Sequence, residues 1–140
     1  MTTSMVRDVM TADPITLDSG ATAVDAARAM RDSDIGAVIV LDGDTTCGIV
    51  TDRDITIRAV ADGDDVSTIT LGSICSRNAT TIGPDASVDE ALQIMRREDV
   101  RRLPVVDGGQ PIGIVSLGDV SVEQDAGDAL ADISAAPANN

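Results

Sequence analysis

Short apolar, β-branched runs recur along the chain at Ala37–Leu41, Cys47–Val50, Leu103–Val106 and Ile112–Val115, each of a length suited to a buried strand. Asp42-Gly43-Asp44 separates the first two runs and Asp107-Gly108-Gly109 the second two. Asp-Gly between apolar runs predicts a hairpin. Ahead of each hairpin lies a stretch of helical periodicity, Thr22–Arg31 and Val88–Arg97, opened by Thr22-x-x-Asp25 and Ser87-x-x-Glu90. A hydroxyl residue followed three positions later by a carboxylate predicts a capping box. The same signal returns after each hairpin as Thr51-x-x-Asp54 and Ser116-x-x-Asp119, predicting two capping boxes per copy and closing helices over about Asp52–Ala61 and Leu117–Glu123. Met5–Met10 reads as a short amphipathic turn and Pro14–Leu17 as a brief extended piece.

The pattern is a duplication. An offset of 65 residues pairs Val9 with Ile74 and Ile55 with Val120 without a gap, and thirteen pairs in that window are identical, among them Asp34/Asp99, Gly48/Gly113 and Asp54/Asp119. The predicted fold class is α/β (α+β), with two β-α-β-β-α units. Residues 5–62 form the first repeat, 63–70 a linker, 71–123 the second repeat and 124–140 a flexible polar tail.

Composition narrows the chemistry. Phe, Tyr, Trp, His and Lys are absent, so the core is aliphatic and all ten positive side chains are arginines. Without histidine or a cysteine cluster, the usual zinc, copper and haem ligands and the Ser-His-Asp or Cys-His systems are missing, and no catalytic or metal residue is assigned. The acidic Asp42–Asp44 turn is read as solvated rather than as a Mg²⁺ site. No paired acid/base arrangement, phosphate-gripping Gly-rich loop or nucleophile elbow stands out, so no enzyme is expected. A net charge of -14 without aromatics disfavours nucleic acid. Aspartates outnumber glutamates 21 to 3, a bias without a structural account. No apolar stretch is long enough for a signal peptide or a membrane span, which points to the cytoplasm with Cys47 and Cys75 as reduced thiols. A disulfide or redox switch between them is the alternative.

The duplicated Gly-Ile-Val-(Thr/Ser)-x-x-Asp runs at Gly48–Asp54 and Gly113–Asp119, together with Val9-Met10-Thr11, Ala37–Leu41, Arg102–Val106 and the Asp-Gly turns, resemble tandem cystathionine-β-synthase (CBS) domains, the pair called a Bateman module. The resemblance covers about Met5–Glu123. It implies two units packed by pseudo-twofold symmetry through their sheets, with two clefts that in many members bind adenosine nucleotides or S-adenosylmethionine. By that resemblance Thr51 and Asp54, or Ser116 and Asp119, hold ribose and phosphate. The base lies among Met10, Ile15, Ile35 and Ala37 in one cleft and Thr80, Val100 and Leu103 in the other. Arg101 and Arg102, whose counterparts are Gly36 and Ala37, face a phosphate or pair with Glu98, Asp99 or another subunit. Arg53 assists at the same phosphate, makes a dimer contact, or forms an ion pair with neighbouring aspartates. The cleft of Thr51 and Asp54 is the better equipped.

The expected function is a stand-alone sensor that binds AMP, ADP, ATP or S-adenosylmethionine, needs no other cofactor, and signals in trans to a protein partner. Family likeness adds a homodimer, with the apolar faces of Thr22–Arg31 and Val88–Arg97 as candidate surfaces or as ordinary core. In the competing reading, the hydroxyl-x-x-Asp elements are only helix caps and the chain is a ligand-free interaction module.

Overall fold

In the computed structural model, which describes residues 4–63, 65–75 and 80–121, the chain builds two three-stranded sheets with helices against them. The elements in order are α1 (Val6–Val9), β1 (Thr11–Ala12), β2 (Thr16–Asp18), α2 (Ala23–Ser33), β3 (Ala37–Asp42), β4 (Thr45–Thr51), α3 (Asp52–Ile55), α4 (Leu71–Ile74), α5 (Val88–Glu98), β5 (Arg102–Asp107) and β6 (Gln110–Ser116). Residues 117–121 are helical, and the tail expected from residue 124 lies outside the described residues. The helix expected over Asp52–Ala61 changes its winding part-way. Thr56 donates its hydroxyl to the Asp52 carbonyl, and Thr56–Val60 form a π-helical turn closed by Ala61 N–H on Thr56 O at 2.9 Å.

The first sheet runs β2-β3-β4, with β2 parallel and β4 antiparallel to β3. Ala37 to Val40 are all buried, as a central strand requires. Gly43 turns the hairpin at φ +64, a conformation open to glycine because it has no Cβ. The second sheet runs β1-β6-β5. There the expected first strand of the second unit is reduced to one parallel bridge, Ile82 to Val105. Gly83 and Pro84 follow Ile82 where Asp18 and Ser19 follow Leu17, and a proline has no N–H to extend a ladder.

Helices α2 and α5 bury Ala23, Ala26 and Met30, and Val88, Ala91, Ile94 and Met95, at helical spacing. Those faces pack inside the chain, which corrects their candidacy as dimer surfaces. Among the described residues the large apolar side chains left exposed are Met5, Ile57 and Val60. Both helices end on an aspartate in the left-handed region, Asp34 at φ 53 and Asp99 at φ 55, which explains that identical pair and turns the chain sharply toward β3 and β5. One capping box is incomplete. In α2 Thr22 and Asp25 bond reciprocally, whereas in α5 Ser87 Oγ accepts from Glu90 N–H and among the described residues no return bond is made. Its neighbours Ala86 and Val88 instead bond in antiparallel fashion to Val6 and Ser4.

That pairing reveals an exchange. α1, from the first copy, packs in the second core, where Val6 joins Ile82, Val88, Leu103, Val115 and Val120. Val6 N–H donates to Ala86 O at 2.8 Å and Arg7 N–H to Pro84 O at 2.9 Å, and the Arg7 side chain pairs with Asp85. α4, from the second copy, packs in the first core, where Leu71, Ile74 and Cys75 join Ala23, Val38 and Val50. Leu71 N–H donates to Ala21 O at 2.8 Å and Ala23 N–H to Ile69 O at 3.0 Å. Each packed half is therefore completed by the other copy's entry helix. The close approach of the first crossing is visible at Gly113, where a Cβ would meet Met10 Sδ at 2.6 Å and Thr11 O at 2.8 Å.

Candidate functional site

At the end of β4 the chain turns into α3 through Thr51 and Asp54. Thr51 N–H donates to Asp54 Oδ2 at 2.9 Å, and Asp54 N–H donates to Thr51 Oγ1 at 3.1 Å. Both side chains are half-buried. The cap uses one carboxylate oxygen and leaves Asp54 Oδ1 as an acceptor, with the Thr51 hydroxyl hydrogen still available to donate. Four residues on, Arg58 brings its Nε to 3.9 Å from Asp54 Oδ1 and donates from Nη1 to Ile74 O at 2.8 Å.

These residues line a cleft of about 760 Å³ between the two halves, with Ile49 and Arg53 on the same side. Its other side comes from the second copy. Asp99 ends α5 in its left-handed turn, and the segment Val100 to Pro104 then runs along the cleft, bringing Arg101 and Arg102 into it. Thr80 and Glu98 complete that side, the Thr80 hydroxyl donating to Glu98 Oε1 at 3.3 Å. Four of the chain's ten arginines thus line one cleft, against the carboxylates of Asp54, Glu98 and Asp99, in a chain of net charge -14.

Among the described residues neither Arg101, Arg102 nor Arg53 makes an ion pair; Glu98 lies instead 3.7 Å from Arg97 Nε. Arg53 contacts Asp52 through its backbone N–H, and the ion pair with Asp54 falls to Arg58. Three exposed guanidiniums thus line the cleft without an ion pair among the described residues.

Of the residues expected at the site, Thr51, Arg53, Asp54, Thr80, Val100, Arg101, Arg102 and Leu103 share this cleft. Ser116 and Asp119 do not line it; they form the equivalent cap at the end of β6, with bonds of 3.0 and 3.1 Å. Nor do Met10, Ile15, Ile35 and Ala37, which the family resemblance groups around the base in one cleft. Met10 packs against the second core, whereas Ile15 and Ile35 pack against the first. The exchange of α1 carries Met10 across. Arg58 was missed by the sequence reading, although its i+4 spacing from Asp54 was available as a signal.

A model of the CBS domain matches residues 6–60 and 71–124. The chain belongs to the CBS domain family. It is 37% identical over 135 residues to the CBS domain-containing protein YhcV of Bacillus subtilis, covering 94% of this chain and 96% of that protein. The structure of Hypoxic Response Protein I with two coordinated zinc ions matches with a TM-score of 0.73 at 34% identity, covering 85% of this chain and 98% of that one. The CBS domain pair of MJ0100, solved with 5'-methylthioadenosine and S-adenosyl-L-methionine, matches with a TM-score of 0.78 at 27% identity, covering 90% of this chain and 99% of that one. Among the described residues of this CBS pair, no group of three metal-ligating side chains comes together, and no helix is long and apolar enough to cross a membrane.

Proposed function

We propose that the cleft of Thr51 and Asp54 binds an adenosine-containing ligand and that the chain is a regulatory module without catalysis. The observation that carries this reading is the convergence of four arginines with a hydroxyl–carboxylate pair in one cleft of nucleotide size. Asp54 Oδ1 accepts from a ribose diol. Arg53, Arg101 and Arg102 take the phosphate, and Ile49, Val100 and Leu103 supply the aliphatic contact for the base. Guanidiniums favour phosphate over the sulfonium of S-adenosylmethionine, so AMP, ADP and ATP lead the candidates. The complex of MJ0100 supports an adenosine-type ligand for this fold. Ser116 and Asp119, with Ile15, Ile35 and Ala37 as their counterpart wall, form the weaker site.

The module acts in the cytoplasm, as a homodimer, through differential affinity of a protein partner for the liganded and unliganded states. Exposed Ile57 and Val60, 54% and 57% accessible, offer apolar surface for the self-association.

Isothermal titration calorimetry with AMP, ADP, ATP and S-adenosylmethionine tests the proposal, since the chain has no Trp or Tyr to report by fluorescence. Saturable nucleotide binding that disappears in Asp54→Ala is expected. The net charge of -14 favours a second reading, the ligand-free interaction module, because it repels polyphosphates at long range. No heat with any of the four, together with an unchanged melting temperature, would favour that second reading and turn the search to protein partners.

A further inference from the structure

Two cysteines 28 positions apart in the chain meet where the exchanged entry helix crosses the first sheet. Cys47 lies on β4, Cys75 follows α4 directly, and their sulfurs are 2.7 Å apart in a thiol–thiol contact. Both belong to the first core, Cys75 at 5% exposure and Cys47 half-buried. The positions related to them by the 65-residue offset are Ile112 and Met10, which pack against the second core in the same way. An aliphatic side chain and a thioether therefore fill that place in the fold, and packing alone does not call for two thiols.

We propose that Cys47 and Cys75 are a redox modification site that closes to an intramolecular disulfide under a hydroperoxide and reopens with a small thiol. Cys47, the more accessible sulfur, attacks the peroxide as thiolate. The O–O bond breaks, Cys47 becomes a sulfenic acid, and with hydrogen peroxide the departing hydroxide takes up the proton that the thiol released and leaves as one water. The adjacent Cys75 sulfur then attacks the Cys47 sulfur, the S–O bond breaks, and a second water leaves. In sum, two thiols and one hydrogen peroxide give one disulfide and two waters. Reduction consumes two small-molecule thiols and returns both cysteines together with one small-molecule disulfide. A reversible bond of this kind suits a reducing compartment, where lasting structural disulfides are rare.

The bond ties α4 to β4, the crossing that completes the first half. It also sits beside the cleft, because the carbonyl that receives Arg58 belongs to Ile74, the residue before Cys75.

The test is intact mass spectrometry of the full chain, with and without hydrogen peroxide, followed by denaturation and alkylation with iodoacetamide. Untreated protein takes up two carbamidomethyl groups. Oxidised protein is expected to take up none, to have lost the mass of two hydrogens, to run as a monomer on a non-reducing gel, and to recover both thiols after dithiothreitol. Cys47→Ser and Cys75→Ser should each abolish the two-hydrogen loss. The oxidised wild type should melt higher by about 5 °C or more, as expected for closing a loop of this length. Two alkylatable thiols after oxidation, disulfides between chains only, or over-oxidised Cys47 beside an intact Cys75 thiol would each overturn the proposal, and the wild-type result decides even if a serine variant fails to fold.

Discussion

The two ends of the molecule share one frame and differ in what they present. Thr51/Asp54 and Ser116/Asp119 make the same reciprocal cap, with bonds of 2.9 and 3.1 Å on one side and 3.0 and 3.1 Å on the other. The four arginines of the first cleft, at positions 53, 58, 101 and 102, correspond to Gly118, Glu123, Gly36 and Ala37. The cap is common scaffolding; these four arginines have no basic counterpart across the repeat. A hydroxyl-x-x-Asp element therefore says where a helix starts, and the arginines say where an anion would go.

The strongest way to break that comparison is to erase the charge difference. Replacing Arg101 and Arg102 together by their counterparts, Gly and Ala, should lower nucleotide affinity by at least about 100-fold, since each charge-assisted hydrogen bond contributes about 1.5–3 kcal/mol. Asp119→Ala should leave the affinity of the first cleft within about twofold, because sites without shared partners behave independently. Titration calorimetry reads both. Equal losses in the two variants would show that the sides are functionally alike.

The exchange of entry helices makes a second comparison. α1 completes the second core and α4 the first, so each half depends on the other copy. Leu71→Ala, at a fully buried position, should cost about 2–5 kcal/mol. Urea unfolding should stay a single transition in wild type and variant, because losing α4 from the first core also strains the chain that bears α5. Two separated transitions would show that the halves fold independently despite the crossing.

This crossing also marks where the sequence stopped being legible. The duplication, helix starts, hairpins and hydroxyl-x-x-Asp elements are local, and periodicity or capping chemistry within a few residues identifies them. A 65-residue offset says that two copies are alike and is silent on which copy's helix covers which sheet. That Met10 packs against the second core while Ile15 and Ile35 pack against the first is visible only once α1 is seen to cross. The contact of Cys47 with Cys75 stood in the sequence only as the alternative to two separate thiols for the same reason, since the two occupy unrelated positions in their repeats and meet only because α4 crosses. Arg101 and Arg102 stood out because they break the internal symmetry. Arg58 breaks it too, but its counterpart Glu123 lies at the edge of the repeat, beyond the window of aligned pairs.

Oxidation should sharpen the contrast between the two sides at a smaller scale. A bond at Cys75 holds the Ile74 carbonyl, which in turn holds Arg58 against the cleft. Fixing this chain of contacts preorganises one arginine before the ligand arrives. The oxidised protein should bind nucleotide about fivefold more tightly than the reduced form. Arg58→Gln should remove the difference while leaving the disulfide intact, and the same titrations on oxidised and reduced protein read it.

The smallest effect separates the two long helices. Asp25 accepts from Thr22 N–H at 2.9 Å and its own N–H bonds Thr22 Oγ1, whereas in α5, among the described residues, Glu90 N–H bonds Ser87 Oγ and the Glu90 side chain makes no return bond to Ser87. The Thr22 backbone N–H, followed by the Thr22 side chain, holds the Asp25 carboxyl below its ordinary value of 3.8. The unfolded chain therefore binds the Asp25 proton at higher pH than the folded chain does. Stability from this group is fully present above the unfolded value and is lost as pH falls through the lower folded value. Asp25→Asn should lower the melting temperature slightly at neutral pH, and the gap to wild type should close on acidification below about pH 4, the ordinary carboxylate range. A gap that persists unchanged into that range would mean that the carboxylate's charge contributes nothing to the α2 cap and that the two helix starts differ in geometry alone.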